Sequence, residues 1–448
     1  MPRPSRPAAR STKPRCANSC SSWSTASAPS STCVARPAAR AAANGAPSGA
    51  RRVDMLNTQT LPKLQAALRA ANLDGWLVYD FRGLNPVAAG VLGIRGMVTR
   101  RIFAWIPAEG TPQAVQHAIE PGPWAQWPAA WPKHVYSAWR ELEGLLPTLV
   151  KGKRIAMEYA AGDAVPVVDR VPAGVIELVR ASGAEIVSSG ELVTQFFAVW
   201  SEAETQSHRA HAELLRGFAH AAFARVGAAI AAGTPIHEHE VMAWLQEQFA
   251  AHGLFTDHGP NVSASENAAN PHYEPSAEHP RRIVKGDVLL IDLWATKQQP
   301  GAMWADQTYM AVVGEPTPKQ REVWAAIRDA RDAAIALLTR KLAAGETVQG
   351  READIAARAV IVERGYGQYF THRTGHSIDA RGLHGMGPNL DDLETRDERT
   401  LLPGVGFSIE PGIYIPGEFG MRTEVNAYVG PNGLMVTPVE YQHELVVI

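Results

Sequence analysis

The sequence has 448 residues, of which 46% are hydrophobic and 20% charged, with 12 tryptophans and a formal net charge of −2. This composition supports a large core and roughly two to three domains. The first 53 residues hold nine basic residues and no acidic one, so 34 Lys and Arg face 45 Asp and Glu in the remainder, a net charge near −11. That balance argues against a nucleic-acid surface, and no apolar stretch is long enough to span a membrane.

Residues 1–54 are rich in Arg, Ala, Ser and Pro and lack hydrophobic periodicity, so we expect this segment to be disordered. It has the composition of a transit peptide. We favour a non-native upstream extension, because well-patterned sequence begins at Met55. The three cysteines, Cys16, Cys20 and Cys33, all lie here and fit no four-ligand zinc pattern. The remaining residues contain no cysteine, which suits a reducing cytoplasm, and this is the predicted location.

Residues 55–198 are predicted to form an α/β domain. Apolar residues at helical spacing follow Leu61, and short apolar runs at 76–81, 100–110, 154–163 and 184–190 are typical of strands. A helix is predicted at 171–182, between the last two strands. Alternation of this kind indicates a mixed or parallel sheet. No phosphate loop, nucleophile elbow or metal constellation is present in this region.

Residues 199–448 begin with helical patterns at 201–233 and about 238–252. Ser201 and Glu204 have the spacing of a capping box at the first helix. We interpret the histidines of these helices, such as His208 and His211, as members of solvated faces, because no carboxylates accompany them in ligand spacing. Strands and helices then alternate to the end of the chain, so the fold class is α+β.

Acidic residues recur inside apolar strand-like segments of this second region. Asp292 lies in VLLIDLWA, where alternation places it among apolar side chains, and Asp306 follows after a turn at Gly301. Glu410 and Glu424 lie in SIEPG and MRTE. A carboxylate at such positions is costly unless its desolvation is offset. A shared cluster of divalent metal ions would offset it.

His376, in HRTGHS, completes this set with one imidazole. One imidazole and four carboxylates are a hard, oxygen-rich set that suits Mn²⁺, Co²⁺, Fe²⁺ or Zn²⁺. Four negative charges neutralise two divalent ions, and a two-metal site can hold a bridging hydroxide while it polarises a carbonyl.

The order Asp, Asp, His, Glu, Glu, in the words GDVLLID, ADQT, TGHS, SIEPGIYIPG and GMRTE, resembles the creatinase, aminopeptidase P and prolidase family of metallopeptidases. The resemblance covers about residues 201–448 and implies the pita-bread fold for a catalytic domain at 199–448. The preceding region, 55–198, is similar in size and position to the family's creatinase-type N-terminal domain. A homodimer is expected from the resemblance alone.

The resemblance also implies a role for each ligand. Asp292 would chelate one metal, His376 and Glu410 the other, and Asp306 and Glu424 would bridge the two. The bridging hydroxide would attack the carbonyl before proline, while Glu410 carries its proton to the leaving nitrogen. We expect two divalent ions per chain, with Mn²⁺ or Zn²⁺ favoured and Co²⁺ as a further choice.

Four further residues are candidates for substrate contact or for the pocket, and two of them, His272 and His384, match substrate-contacting positions of the family. His272, in NPHYEP, and His384, in GLHGMG, would stabilise the oxyanion or hold the substrate carboxylate. His372 is a pocket residue four positions before the metal histidine. Arg422 would orient Glu424 or hold substrate.

The sequence departs from the family pattern at several positions. The spacing from Asp292 to Asp306 is three residues longer than usual, and the segment from His376 to His384 is one residue longer. Asp379 stands where a glycine is common, and Met303 where a tyrosine is common. These changes leave the ligands intact and the substrate range open.

We favour an Xaa-Pro dipeptidase, because Arg396 lies fourteen residues before Glu410, where some prolidases carry the arginine that binds the substrate carboxylate. Arg399 in the same charged loop is the other candidate. An Xaa-Pro aminopeptidase that acts on longer peptides is the near alternative. A non-catalytic peptide-binding member of the fold and a metal-free creatinase-type amidinohydrolase are disfavoured, because all five ligands are present.

Overall fold

The computed structural model describes residues 56–94 and 97–448, which all belong to one unit of the fold. The predictions for residues 1–54, including those for the three cysteines, lie outside the described residues. None of the described helices is both long and apolar enough to cross a membrane.

The first part of the described chain builds one six-stranded sheet. Its strand order is β4-β3-β2-β1-β5-β6, with parallel pairing of β1 with β5, β5 with β6 and β3 with β4, and antiparallel pairing elsewhere. This confirms the predicted mixed sheet. The strands are β1 (Gly75–Asp80), β2 (Ile102–Pro107), β3 (Gln113–His117), β4 (Lys133–Tyr136), β5 (Arg154–Met157) and β6 (Glu185–Ser188). The helices are α1 (Leu61–Ala70), α2 (Pro86–Leu92), α3 (Trp139–Val150), α4 (Ala173–Ala181) and α5 (Gly190–Val193).

Both faces of this sheet are covered by apolar side chains. Along β1, Trp76 and Val78 belong to one core cluster, whereas Leu77 and Tyr79 belong to a second cluster on the opposite face. Successive side chains of a strand point to opposite faces, so a strand buried on both sides reads as a continuous apolar run. The short run at the start of this region therefore predicts a central strand, as observed.

The second part of the chain contains two pairs of helices and three antiparallel sheet layers with one parallel edge strand. The helices are α6 (Glu202–Ala231), α7 (Glu238–Ala251), α8 (Pro318–Ala343) and α9 (Gly350–Glu363). One sheet has the order β16-β9-β8-β7, another β10-β11-β14-β15, and β12 pairs with β13. The strands are β7 (Asn261–Ala264), β8 (Val288–Ala295), β9 (Ala305–Val312), β10 (Ser377–Ile378), β11 (Gly406–Ile409), β12 (Gly412–Ile415), β13 (Phe419–Arg422), β14 (Val425–Gly430), β15 (Gly433–Thr437) and β16 (Val446–Val447). The predicted α+β class is confirmed.

The strand β8 separates the two helix pairs. Val288 and Leu290 pack into the core that contains α8 and α9, whereas Leu289 and Ile291 pack into the core that contains α6 and α7. Asp292 lies on the face of Val288 and Leu290, as alternation predicts. The last sheet strand of the first part ends at Ser188 and α6 begins at Glu202. A domain boundary near residue 198 stays our proposal.

The predicted capping box at the start of α6 is confirmed, but the predicted solvent exposure of His208 and His211 is not. The Ser201 main-chain N–H donates to Glu204 Oε2 at 2.7 Å. His208 is fully buried: its Nδ1 lies 2.7 Å from the Trp304 carbonyl oxygen and its Nε2 2.7 Å from Thr437 Oγ1. His211 Nδ1 lies 2.7 Å from the Met303 carbonyl oxygen. The solvated assignment is wrong for both, because they fasten α6 to the loop that joins β8 to β9.

Candidate metal centre

The five predicted ligands lie on strands or directly at strand ends of the second part. Asp292 and Asp306 lie within β8 and β9, and His376 immediately precedes β10. Glu410 separates β11 from β12, and Glu424 separates β13 from β14. Four of the five are buried, and the Glu410 side chain is 14% exposed. The candidate centre is therefore built on buried strands and strand ends of this region.

The β8–β9 pair fixes the two aspartates. Asp292 is paired with Thr308, and Trp294 with Asp306, so both carboxylates lie on one face and diagonal to each other. Thr308 Oγ1 lies 3.1 Å from Asp292 Oδ1 and 2.9 Å from Glu424 Oε2. The Glu424 main-chain N–H also donates to the Thr308 carbonyl at 3.2 Å. Thr308 thus joins three ligand-bearing segments.

His376 presents one ring nitrogen to the carboxylates. Its Nδ1 lies 3.1 Å from the Ser377 carbonyl oxygen, which selects the tautomer protonated at Nδ1. Its Nε2 lies 3.3 Å from Asp306 Oδ2 and 3.6 Å from Glu410 Oε1. A neutral imidazole then directs a lone pair at two carboxylates. A cation between these atoms would relieve that arrangement.

A close main-chain approach holds His376 in place. Its main-chain N–H donates to Ser408 Oγ at 2.9 Å, and that hydroxyl lies 2.9 Å from Glu410 Oε1. A Cβ on Gly375 would lie 2.0 Å from the Ser408 carbonyl oxygen. Only glycine fits there, which explains the glycine in the motif TGHS.

Asp306, His376 and Glu424 form the tightest group, with ligand atoms that all lie within 4.8 Å of one another. Asp306 Oδ1 and Glu424 Oε1 are buried and have no hydrogen-bond partner among the described residues. Buried polar atoms are normally satisfied, so two such oxygens on residues of one cluster are suited to bind a cation. The donor set of carboxylate oxygens and one imidazole nitrogen fits a divalent metal ion.

The electrostatics of the metal-free centre are unfavourable. Burial raises the pKa of Asp292 to about 7, with further upward contributions from Asp306 and Glu410 that Arg422 opposes. Burial and neighbouring carboxylates also raise the pKa values of Asp306 and Glu424 well above their usual range. The pKa of Glu410 is lowered: burial raises it, but the charges of His376, His372 and Arg422 outweigh that effect. Divalent ions would stabilise the ionised forms of all four.

Arg422 is buried and contacts Asp292 rather than Glu424 directly. Its Nη2 donates to Asp292 Oδ2, and its Nε donates to Thr308 Oγ1 at 3.0 Å. Its Nη1 lies 3.2 Å from the hydroxyl of Tyr414, which lies 2.8 Å from His372 Nε2. A continuous chain therefore runs from Asp292 to His372. Sequence reasoning missed Tyr414, although a tyrosine four residues after Glu410 in an apolar strand was a signal.

The remaining predicted residues differ in their distance from the centre. The His384 ring centroid lies 4.3 Å from that of His376, and the charge of His376, together with burial, lowers the pKa of His384 to about 4. His272 is exposed, and it follows Pro271, whose carbonyl accepts from Asn261 Nδ2 at 3.3 Å, beside Asp292 in the sheet. Among the described residues, the His272 side chain makes no hydrogen bond or ion pair with the five predicted metal ligands.

The charged loop before Glu410 separates the two arginine candidates. Arg396 is exposed, whereas Arg399 is buried against Asp397, with Nη2 2.6 Å from its Oδ2, and also donates to the Met386 and Gly387 carbonyls at 2.6 Å. Arg399 is therefore a structural residue, because its donors are occupied within the protein. That leaves Arg396 as the candidate from this loop.

Comparisons with known proteins identify the family of this chain. The sequence profile of metallopeptidase family M24 matches residues 207–431. The chain is 36% identical over 172 residues to an Xaa-Pro dipeptidase of Lactobacillus helveticus, a match that covers 38% of this chain and 42% of that protein. It is 28% identical over 410 residues to a probable dipeptidase PepE of Mycobacterium tuberculosis, which covers 89% of this chain and 99% of that protein.

A solved structure extends the likeness across both parts of the fold. The crystal structure of dipeptidase PepE from Mycobacterium ulcerans matches with a TM-score of 0.64 and 25% identity, over 87% of this chain and 97% of that chain. The match confirms the predicted pita-bread architecture with a preceding N-terminal domain. The alignment with the Xaa-Pro dipeptidase of Lactobacillus helveticus spans less than half of that protein's length.

Proposed function

This chain belongs to metallopeptidase family M24, and from that premise we propose that it hydrolyses the peptide bond before proline in Xaa-Pro dipeptides. The observation that carries the proposal is the buried group of Asp306, His376 and Glu424, with two unpartnered carboxylate oxygens. The dipeptide as substrate is supported by the likeness to dipeptidases, one of them an Xaa-Pro dipeptidase.

We propose that two divalent ions, Mn²⁺ or Zn²⁺ before Co²⁺, are held here. Asp292, Asp306, His376, Glu410 and Glu424 would hold them. Such ions supply Lewis-acid polarisation of the scissile carbonyl and lower the pKa of water toward neutrality. Thr308 and Arg422 orient the carboxylates, because both contact Asp292 and Thr308 also reaches Glu424.

Glu410 is the residue proposed to move a proton. The Ser408 hydroxyl donates to Glu410 Oε1 at 2.9 Å, which fixes the carboxylate and leaves the second oxygen to accept and release a proton. Its lowered pKa keeps it ionised and ready to act as a base in the metal-free form. His384, beside His376, and His272 would stabilise negative charge on the substrate oxygen.

The specificity for dipeptides requires a cation for the proline carboxylate. Arg396 is our candidate, because it is exposed, whereas the guanidinium of Arg399 is occupied within the protein. An Xaa-Pro aminopeptidase, which leaves this end of the site open, is the second candidate function. A homodimer and a cytoplasmic location also stay predictions.

The first expected result is that the protein loaded with Mn²⁺ or Zn²⁺ hydrolyses Ala-Pro faster than Ala-Pro-Ala. The physical reason is that an arginine fork pairs with the carboxylate of the dipeptide, whereas a third residue displaces that carboxylate. The measurement is product release from each peptide, and Ala-Ala serves as the control for proline specificity.

Preferential cleavage of the tripeptide would replace the dipeptidase proposal by the aminopeptidase. No cleavage of either peptide with Mn²⁺, Zn²⁺ or Co²⁺ would leave a non-catalytic member of the fold. In the same assay, Arg396→Ala should raise KM for Ala-Pro about two- to fivefold, because one surface-exposed ionic contact is lost. An unchanged KM would remove Arg396 from the site.

A further inference from the structure

The loop that follows β10 and carries His384 is closed by one buried carboxylate. Asp379 is 1% exposed. Its Oδ1 accepts from the main-chain N–H groups of Arg381 at 2.7 Å and Gly382 at 3.3 Å, and its Oδ2 accepts from Met386 at 3.0 Å. The first two donors precede His384 and the third follows it. A single side chain therefore ties together both arms of the loop.

The returning arm of this loop lies directly on the residue after the metal-binding histidine. The Gly385 N–H donates to the Ser377 carbonyl at 2.6 Å, and the Gly387 N–H donates to Ser377 Oγ at 3.0 Å. A Cβ on Gly385 would lie 2.8 Å from Ser377 Oγ, and one on Gly387 would lie 2.6 Å from it. The glycines permit this approach, so His384 is held between fixed points on either side.

The outer side of the loop is buried against the first part of the fold. Met386 is a member of the core cluster that contains Val193 and Phe197. The Arg381 guanidinium lies 4.1 Å from the Phe197 ring centroid, which is a cation–π contact. The ends of the loop are thus anchored independently of the metal centre. The Asp379 carboxylate, which binds main-chain N–H groups on both arms, determines the path of the chain between these two ends.

We propose that Asp379 is a positioning residue that holds His384 against the His376 ring and toward the substrate. The inference rests on the proposed function, in which His384 contacts the reacting group. It also gives a reason for the unusual sequence: the segment from His376 to His384 is one residue longer than in the family it resembles, and Asp379 replaces a common glycine. The carboxylate supplies the acceptors that the N–H groups of the longer loop require.

A double-mutant cycle on Ala-Pro hydrolysis tests this role. Asp379→Asn keeps the shape but replaces the acceptor for Met386 by an amide N–H, so the returning arm should shift. A misplaced group near the reacting atoms costs up to about 100-fold, and we expect a fall in kcat/KM of about 10- to 100-fold, chiefly in kcat. In the His384→Ala background, the same substitution should have little further effect.

Asp80→Asn is the matched control. Asp80 is also 1% exposed, and its carboxylate accepts from the N–H groups of Gly83 and Asn85 at 2.8 Å each, in the first part of the fold. It should lower the melting temperature without a kcat loss that depends on His384. The positioning role is overturned if the effect of Asp379→Asn persists in full in the His384→Ala background.

Hydrogen exchange gives a readout that needs no activity. In Asp379→Asn, the amides of Arg381, Gly382 and Met386 should exchange faster, while Mn²⁺ affinity by calorimetry stays unchanged because Ser377 and Ser408 still hold His376. If the wild-type protein cleaves no Xaa-Pro peptide, the proposed function fails, and unchanged exchange in the variant is the separate result that rejects Asp379 as the loop's anchor.

Discussion

Replacing Glu424 with glutamine is expected to abolish metal-dependent hydrolysis while the metal-free protein becomes at least as stable as the wild type. Glu424 is 3% exposed, its Oε1 has no partner among the described residues, and burial and then Asp306 raise its pKa. Glutamine cannot ionise, keeps nearly the same shape and still accepts from Thr308. We expect kcat/KM to fall by roughly 1000-fold or more, about 4 kcal/mol of transition-state stabilisation.

Calorimetry with and without Mn²⁺ measures the stability half of this expectation. The metal-free variant should melt at the wild-type temperature or roughly 1–3 °C above it, and Mn²⁺ should no longer raise its melting temperature as it does for the wild type. Function then conflicts with stability at this position, as is common for charges gathered in active sites.

Glu238→Gln is the matched control for Glu424→Gln. Glu238 is 1% exposed, but its carboxylate is satisfied: it accepts from the Ala264 N–H at 2.6 Å, the Tyr273 hydroxyl at 2.7 Å and the Asn267 amide at 3.0 Å. Its replacement should lower the melting temperature in the presence or absence of metal. If Glu424→Gln behaves like Glu238→Gln, Glu424 is a structural residue and not a ligand.

Metal affinity is expected to increase steeply between pH 6 and pH 8. In the metal-free protein burial raises the pKa of Asp292 from 3.8 to about 7, and burial also raises the pKa values of Asp306 and Glu424 well above their usual range. A carboxyl group whose folded pKa is raised stabilises the fold while protonated, below its unfolded value, and that contribution is lost as the pH rises through the folded value. Metal binding needs the ionised form, so protons compete with it on the acid side.

Isothermal calorimetry with Mn²⁺ at pH 6, 7 and 8 measures this competition. The dissociation constant should fall about tenfold per pH unit for each proton displaced. Titrations in buffers of different ionisation enthalpy should show that metal binding releases more protons at pH 6 than at pH 8. A dissociation constant independent of pH over this range would show that the ligands are already ionised in the metal-free protein.

The grouping of the buried carboxylates around His376 was predictable from sequence, because its physical signal is strong. A carboxylate such as Asp292, in a strand whose neighbours are all apolar, is explained by few arrangements other than a metal site. The alternation in β8 also placed its face correctly, because a period of two fixes which side chains share the core. The same reasoning gave the capping box at Ser201, which is a local interaction.

Partners distant in sequence were not predictable. His208 and His211 look like surface residues on a polar helix, and only the tertiary approach of residues 303–304 and Thr437 shows that they are buried. Arg399 was a plausible cation for the substrate carboxylate, but its guanidinium donates to Asp397 and to two main-chain carbonyls. Arg422 was expected to orient Glu424 or to hold substrate, and its guanidinium instead contacts Asp292 and Tyr414.

The most direct measurement of the central claim is the anomalous diffraction from crystals of the protein grown with Mn²⁺ or Zn²⁺. The proposed centre predicts two metal peaks per chain, both in contact with Asp306 and Glu424, one next to His376 and Glu410 and the other next to Asp292. A single peak, or peaks that leave the unpartnered oxygens of Asp306 and Glu424 without a metal contact, would contradict the dinuclear site.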